Sequence, residues 1–250
     1  MLSPNQSALP LSTLKVDSKI SYSKANPSYL REMIATSDLT FKYKSSNSTL
    51  SFPDIKCEQG GKLLILGDSG SGKTTLLHLL CGLLNPVSGK VSLKGVDITS
   101  LNGRDLDSFR GRNVGVVFQK AHFVESLTIS ENLALPSMLT SENISSSELQ
   151  NRTLVLLERL GLVHKAHALP RDLSIGEQQR ASIARAIIHK PQVVFADEPT
   201  SALDDKSTEA VVSLLEDESK RAGASLIIVT HDQRLKSRYS DRVELKDIAS

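Results

Sequence analysis

The sequence predicts an α/β fold: a mostly parallel core sheet, an antiparallel β edge region and a helical subdomain. Three observations carry that prediction. Four short runs, 63–66, 114–118, 193–196 and 226–229, are apolar with no polar alternation. Such runs read as strands buried on both faces, as in a parallel sheet with helices on either side. Helical patterning lies between them, which is the βα alternation of an open parallel sheet. The first run leads into Gly67-Asp68-Ser69-Gly70-Ser71-Gly72-Lys73-Thr74 and then into a leucine-rich helical pattern.

Taken in order, residues 1–32 stand apart. They are rich in serine (Ser3, Ser7, Ser12, Ser18, Ser21, Ser23, Ser28), carry Pro4, Pro10 and Pro27, and keep no period. This is the composition of a poorly ordered tail, made basic by Lys15, Lys19, Lys24 and Arg31. Arginine is scarce and no long apolar stretch occurs, so a targeting peptide stays an open alternative with weak support. Met33 leads directly into Ile34-Ala35-Thr36, so the domain is placed at 33–250 with Met33 as its start. Mass spectrometry of the native protein should then find no peptide from residues 1–32.

Segments 38–43 and 48–57 alternate like strands near a sheet edge. After the strand at 63–66 and the glycine loop, Leu76, Leu77, Leu80, Leu83 and Leu84 define one helical face, stopped by Asn85-Pro86. Residues 89–95 form a short strand closed by turns, and 114–118 a buried strand ending at Gln119. From about 125 to 190 the pattern is helical, with Leu154, Leu157 and Leu160 on a face that stops at Gly161. Strands return at 193–196 and 226–229, and no internal repeat is present.

The glycine loop has the flanks that turn a glycine-rich turn into a phosphate cradle: a buried strand before it and a helix after it. Its backbone N–H groups can curl round an anion, and the helix N-terminus adds partial positive charge. Lys73 can reach β- and γ-phosphates, and the Thr74 hydroxyl can ligate Mg²⁺. The strand at 193–196 ends in Asp197-Glu198. Strand ends are where ligands bind in such sheets. Asp197 suits Mg²⁺ through its water shell, and Glu198 is placed to polarise a water attacking a γ-phosphate. Leu173-Ser174-Ile175-Gly176-Glu177 opens a helix in which Ser174 and Glu177 form a capping-box pattern, and the same N-terminus suits a second anion. His231 closes another strand and is a candidate γ-phosphate contact. The other five histidines lack metal-ligand spacing.

Bulk composition is that of an ordinary soluble domain: 250 residues, 39% hydrophobic and 23% charged. A net charge of +2 gives no reason to expect a nucleic-acid partner. Cys57 and Cys81 lack metal spacing and read as core thiols of a reducing compartment. No apolar run reaches the length of a membrane span, so a membrane association would be peripheral.

In this order the motifs resemble the nucleotide-binding subunit of an ATP-binding cassette (ABC) transporter, a P-loop NTPase. They comprise Walker A at 67–74, the Q-loop Gln119, a signature at 173–177 and Walker B at 193–197. Glu198, the D-loop Ser201-Ala202-Leu203-Asp204 and the switch His231 follow. The resemblance covers about residues 34–245 and implies a helical subdomain at about 121–188, with ATP and Mg²⁺ as cofactors. It implies nucleotide contacts from Gly67, Asp68, Ser69, Gly70, Ser71, Gly72, Lys73, Thr74 and Thr75, with Ser174 and Gly176 supplied by a second copy. Tyr43, close to Phe41, stands where the family stacks an aromatic ring on adenine. Thr74, Gln119 and Asp197 would hold Mg²⁺, and Glu198, His231 and Gln119 would be the catalytic group.

Phe109-Arg110-Gly111-Arg112-Asn113 with the strand to Gln119, residues 127–136, and Asp197-Glu198-Pro199-Thr200 resemble one branch of that family. It contains the lipoprotein-releasing ATPase LolD, the macrolide exporter MacB and the division protein FtsE. The branch implies an ATP-hydrolysing homodimer on the cytoplasmic face of the inner membrane, of exporter or lipoprotein-release type. Its partner would be an integral-membrane permease of few spans, FtsX- or MacB-like. The alternatives are a division-type ATPase or scaffold, and a soluble cassette ATPase outside transport. The second lacks support, since neither a second cassette nor a long coiled-coil insertion occurs. Two residues depart from the usual Leu-Ser-Gly-Gly-Gln signature: Ile175 replaces a glycine and Glu177 the glutamine. Glu177 strengthens the cap but sets a negative charge where a second anion must approach, which is expected to weaken ATP-driven closure. The chain ends soon after Val243-Glu244-Leu245, leaving no expected room for a regulatory domain.

Overall fold

A computed structural model describes residues 32–45, 48–140, 144–201 and 203–246. The expected tail, apart from Glu32, and Ala202 of the D-loop lie outside the described residues. The described elements form two sheets and six α-helices. In order they are β1 (Glu32–Phe41), β2 (Leu50–Ser51), β3 (Lys56–Glu58), β4 (Lys62–Gly67), α1 (Lys73–Leu80), β5 (Ser88–Leu93) and β6 (Val96–Asp97). Then come α2 (Gly103–Asn113), β7 (Val114–Val117), α3 (Ile129–Leu139), α4 (Ser146–Arg159) and α5 (Ile175–Ile187). The chain closes with β8 (Val193–Asp197), α6 (Asp205–Ala222), β9 (Ser225–Thr230) and β10 (Arg242–Leu245).

The central sheet runs β10-β4-β9-β8-β7 and every pairing in it is parallel. The edge sheet is antiparallel: β2-β1-β5-β6, with β3 also on β1. The period-2 rule sorts the central strands onto two cores. Leu63, Ile65, Val193, Phe195, Ile227 and Val229 face a core shared with α1 and the antiparallel sheet. Leu64, Leu66, Val194, Ala196, Leu226 and Ile228 face the opposite core, closed by α3, α4, α5 and α6. This explains the apolar runs: both faces of each strand are buried.

Local chemistry sets the helix ends. Thr128 with Glu131 and Ser174 with Glu177 form capping boxes at α3 and α5, while Ser145 and Asp204 cap α4 and α6. Three expectations need correction. The helix after the glycine loop ends at Leu80, because Gly82 enters the left-handed region at φ 67 and turns the chain; Leu83 is then exposed. The buried face of α4 is Leu149, Thr153, Leu156 and Leu157, continued by Leu160, whereas Leu154 is exposed. The segments at 38–43 and 48–57 are one long strand and two short ones: β1 starts at Glu32 and shifts register between Ser37 and Thr40. Between β7 and β8 the described elements are all helical, as the sequence pattern requires.

Gly115 in β7 permits a close approach. A β-carbon there would collide with the Ala186 carbonyl oxygen and meet Pro191 at 3.1 Å. The C-terminal turn of α5 therefore rests directly on the strand that leads to Gln119. Cys57 and Cys81 are free and buried. Burial, then the nearby Asp241 and Glu58, pushes the Cys57 thiol up to about 11.

Candidate nucleotide site

The C-terminal ends of β4, β8 and β9 are adjacent, and each delivers functional residues to one place. From β4 the chain enters the glycine loop, where Gly70 and Gly72 take φ values of 87 and 86. β8 ends at Asp197, and β9 leads through Thr230 to His231. A cleft of about 460 Å³ opens there. It is lined by Ser69, Gly70, Gly72, Lys73, Thr74, Thr75, Gln119, Glu198 and His231.

Lys73 is 7% exposed, and its ammonium group donates to the carbonyl oxygens of Gly67 (2.9 Å) and Asp68 (2.8 Å). It also lies 3.6 Å from a Glu198 carboxylate oxygen. Thr74 Oγ1 donates to Asp197 Oδ1 at 3.3 Å, joining loop and strand. Burial pushes the Asp197 carboxyl above its ordinary range, offset in part by the Thr74 bond. Ser71 Oγ is buried without a hydrogen-bond partner inside the loop. A buried carboxylate, a hydroxyl and an orphaned hydroxyl beside a glycine loop make a hard-oxygen donor set that suits Mg²⁺ with phosphate.

Glu198 is held from several sides. Its Oε2 accepts from Thr230 Oγ1 (2.9 Å), the His231 backbone N–H (3.3 Å) and His231 Nδ1 (2.9 Å). Its backbone sits at φ 48, a left-handed conformation that costs on the order of 1 kcal/mol for a residue with a β-carbon. The surrounding bonds hold that strained geometry in place. Gln119 donates through Nε2 to Ser201 Oγ at 3.3 Å, so the Q-loop touches the D-loop.

Most residues expected at the site are brought together. Tyr43 is linked to it through a 2.7 Å hydrogen bond between its hydroxyl and that of Thr75. Phe41 packs edge-on against Tyr43 at 4.7 Å and is itself buried, so Tyr43 is the ring with an exposed face. Ser174 and Gly176 do not line this cleft; both are exposed at the start of α5. Thr230 and Ser201 are site partners that residue-by-residue reading did not assign. Their signal was position, one beside His231 and the other in the loop after Glu198. A second groove of about 350 Å³ between α4 and α6 is apart from these groups, and its Arg159 and Arg221 pair with Glu218.

Known proteins resemble this chain over most of its length. The family described as ABC transporter matches residues 50–201. The lipoprotein-releasing system ATP-binding protein LolD of Shewanella oneidensis is 39% identical over 81% of this chain and 87% of its own length. The cell division ATP-binding protein FtsE of Escherichia coli strain K12 is 37% identical over 84% of this chain and 93% of its own. A solved dimeric bacterial ABC transporter cassette superposes with a TM-score of 0.78 at 32% identity, covering 86% of this chain and 95% of that one. A post-hydrolysis dimer of an ATP-binding cassette holding ADP and Pi gives 0.77 at 31% identity. With the glycine loop, the strand-end acids and His231 assembled on that scaffold, the chain belongs to the ABC transporter family, as an ATP-binding subunit of the branch that includes LolD and FtsE.

Proposed function

We propose that the chain hydrolyses ATP at a site completed by a second copy, and uses the resulting closure and opening to drive a membrane permease. The observation that carries this is Glu198, held 2.9 Å from His231 and 3.6 Å from Lys73 at the cleft. Lys73 is the one permanent cation among the described residues lining the cleft, and on ATP binding it would exchange the Gly67 and Asp68 carbonyls for phosphate oxygens. Thr74, Asp197 and Gln119 would hold Mg²⁺, which when bound offsets phosphate charge. Glu198 would accept a proton from water as the water oxygen bonds to the γ-phosphorus and the bond to ADP breaks. His231 would keep the carboxylate oriented and contact the γ-phosphate. Tyr43 would stack on adenine.

Ser174 and Gly176 are exposed and away from their own cleft, which supports their delivery to the cleft of a second copy. The dimeric state named for the solved neighbours supports the same reading. No described helix is long and apolar enough to cross a membrane, and the coupling would run through an integral-membrane permease. Met138 and Leu139 at the end of α3 are 69% and 82% exposed, which suits a surface covered by such a partner. The permease would be FtsX- or MacB-like, with this chain peripheral on the cytoplasmic face of the inner membrane. The LolD relative favours lipoprotein release, and the FtsE relative favours a division-linked system.

The Glu198→Gln variant tests the chemistry. Turnover should fall by at least about 100-fold while an ATP-bound dimer accumulates. A variant that keeps the original rate refutes the assignment.

A further inference from the structure

In the proposed dimer, the hydroxyl and backbone N–H of Ser174 would face the partner's nucleotide. Both are already engaged. Glu177 Oε2 accepts from the Ser174 N–H at 2.8 Å and from the Ser174 hydroxyl at 2.9 Å, while Ser174 Oγ accepts from the Glu177 N–H at 3.3 Å. The bonds from the Ser174 backbone and side chain hold the Glu177 carboxyl below its ordinary range, so it is ionised at neutral pH. Glu177 and an incoming phosphate are therefore two anions competing for the same donors at one helix end.

The structure supplies a counter-charge from outside α5. Lys165 Nζ lies 3.8 Å from Glu177 Oε2, and His164 Nε2 lies 3.5 Å from Oε1. Both residues belong to the 3₁₀ turn Val163–Lys165, which follows α4. Lys165 is fixed there because its ammonium group donates to the Asp172 carbonyl oxygen at 2.9 Å, in the turn just before the signature. Its side chain is 26% exposed and that of Glu177 16%, so water screens the pair only in part. His164 is 64% exposed and contributes charge only when protonated.

We propose that Lys165 is a positioning residue of the ATP-driven closure. It offsets the charge of the Glu177 carboxylate, so that the partner's phosphate can approach the Ser174 donors. A glutamine at position 177 would need no such counter-charge. The same pair lifts much of the penalty that Glu177 alone would impose on closure. This rests on the shared-site reading above.

The test uses the full chain in the Glu198→Gln background, with dimer formation followed by light scattering against ATP concentration. Lys165→Gln should weaken the dimerisation constant by about threefold per site, or about tenfold for the two sites of a dimer, which raises the ATP needed for half-dimerisation by about threefold. Lys165→Arg, which keeps the charge, should stay within about twofold of the parent. Adding Glu177→Gln to Lys165→Gln should remove the defect, because no carboxylate remains to be neutralised. Binding of a fluorescent ATP analogue to the monomer should be the same in every variant, since Lys165 does not line the cleft. The proposal is overturned if Lys165→Gln dimerises like the parent. It is equally overturned if Glu177→Gln does not restore dimerisation, or if monomer nucleotide binding weakens, which marks a structural role. A parent that forms no ATP-dependent dimer removes the shared-site reading itself, and this inference with it.

Discussion

Asp197 shows how a single residue is set by its task. The carboxyl is 5% exposed, and burial raises its pKa. A raised folded-state value means that its stabilising contribution is complete at low pH and is lost as pH rises through that value. At neutral pH without a cation, the buried charge is a net cost. Asp197→Asn keeps a side-chain oxygen for the Thr74 hydroxyl but removes the charge. Its apo form should melt roughly 2–4 °C higher at neutral pH, for about 1 kcal/mol, while turnover is lost. The gap should narrow as pH falls, when the wild-type acid takes up its proton. Differential scanning calorimetry across pH checks both points. The residues with distinctive chemistry, Lys73, Asp197, Glu198 and His231, were legible in the sequence because their types and strand-end positions define them. Thr230 was not, because a threonine at the end of a β-strand is unremarkable until the fold aims its hydroxyl at Glu198. Nor could the sequence foretell that Glu177 would meet Lys165, since that contact joins two segments only after the chain has turned.

Between elements, α6 is tied to its neighbours by charge as well as by packing. Glu216 on α6 meets Lys62 of β4 at 3.1 Å and takes a two-pronged bond from Arg238, at 3.0 Å on each oxygen, from the turn after β9. Arg238 also pairs with Glu209, two turns earlier on the same side of α6. Burial alone would raise the Glu216 carboxyl, but the contacts with Arg238 and Lys62 outweigh it and bring it down to about 2. A depressed value gives stability that is present above the ordinary carboxylate range and is lost as pH falls toward 2. Glu216→Gln should therefore cost about 1–2 kcal/mol at pH 7, with the melting curves of the two proteins converging as pH falls from about 4.5 toward about 2. Curves that stay parallel down to pH 2 would show that the ion pairs carry none of it. The strands β4, β7, β8 and β9 were readable because burial on both faces leaves their interiors apolar. β10 was missed: its alternating Arg242, Val243, Glu244 and Leu245 belong to an edge strand with one wet face. α6 was not singled out either, because its apolar residues are diluted among charges that only the folded helix sorts outward. The helix after the glycine loop looked longer than it is because Leu83 and Leu84 extend its period past the turn at Gly82.

At the scale of the molecule, one sheet divides two cores and gathers every motif at its carboxyl edge. The signature is the exception, standing on α5 with its donors outward. In the proposed dimer, a single copy would therefore hold one half of a reaction centre on each of two faces. The family order of motifs made the fold and the ATP chemistry legible before any coordinate was known. The cargo was not legible, because the groups that would select it are not in this chain's cleft. The bare backbone at Gly115 adds a consequence for mutational surveys. In a randomised library screened for growth or turnover, nearly every replacement at 115 would be lost, since any side chain strikes the Ala186 carbonyl. The position would then score alongside Lys73 and Glu198 without ever meeting nucleotide. Solubility of the rejected clones separates the two classes: losses at Glu198 come from proteins that still fold, and losses at 115 from proteins that do not.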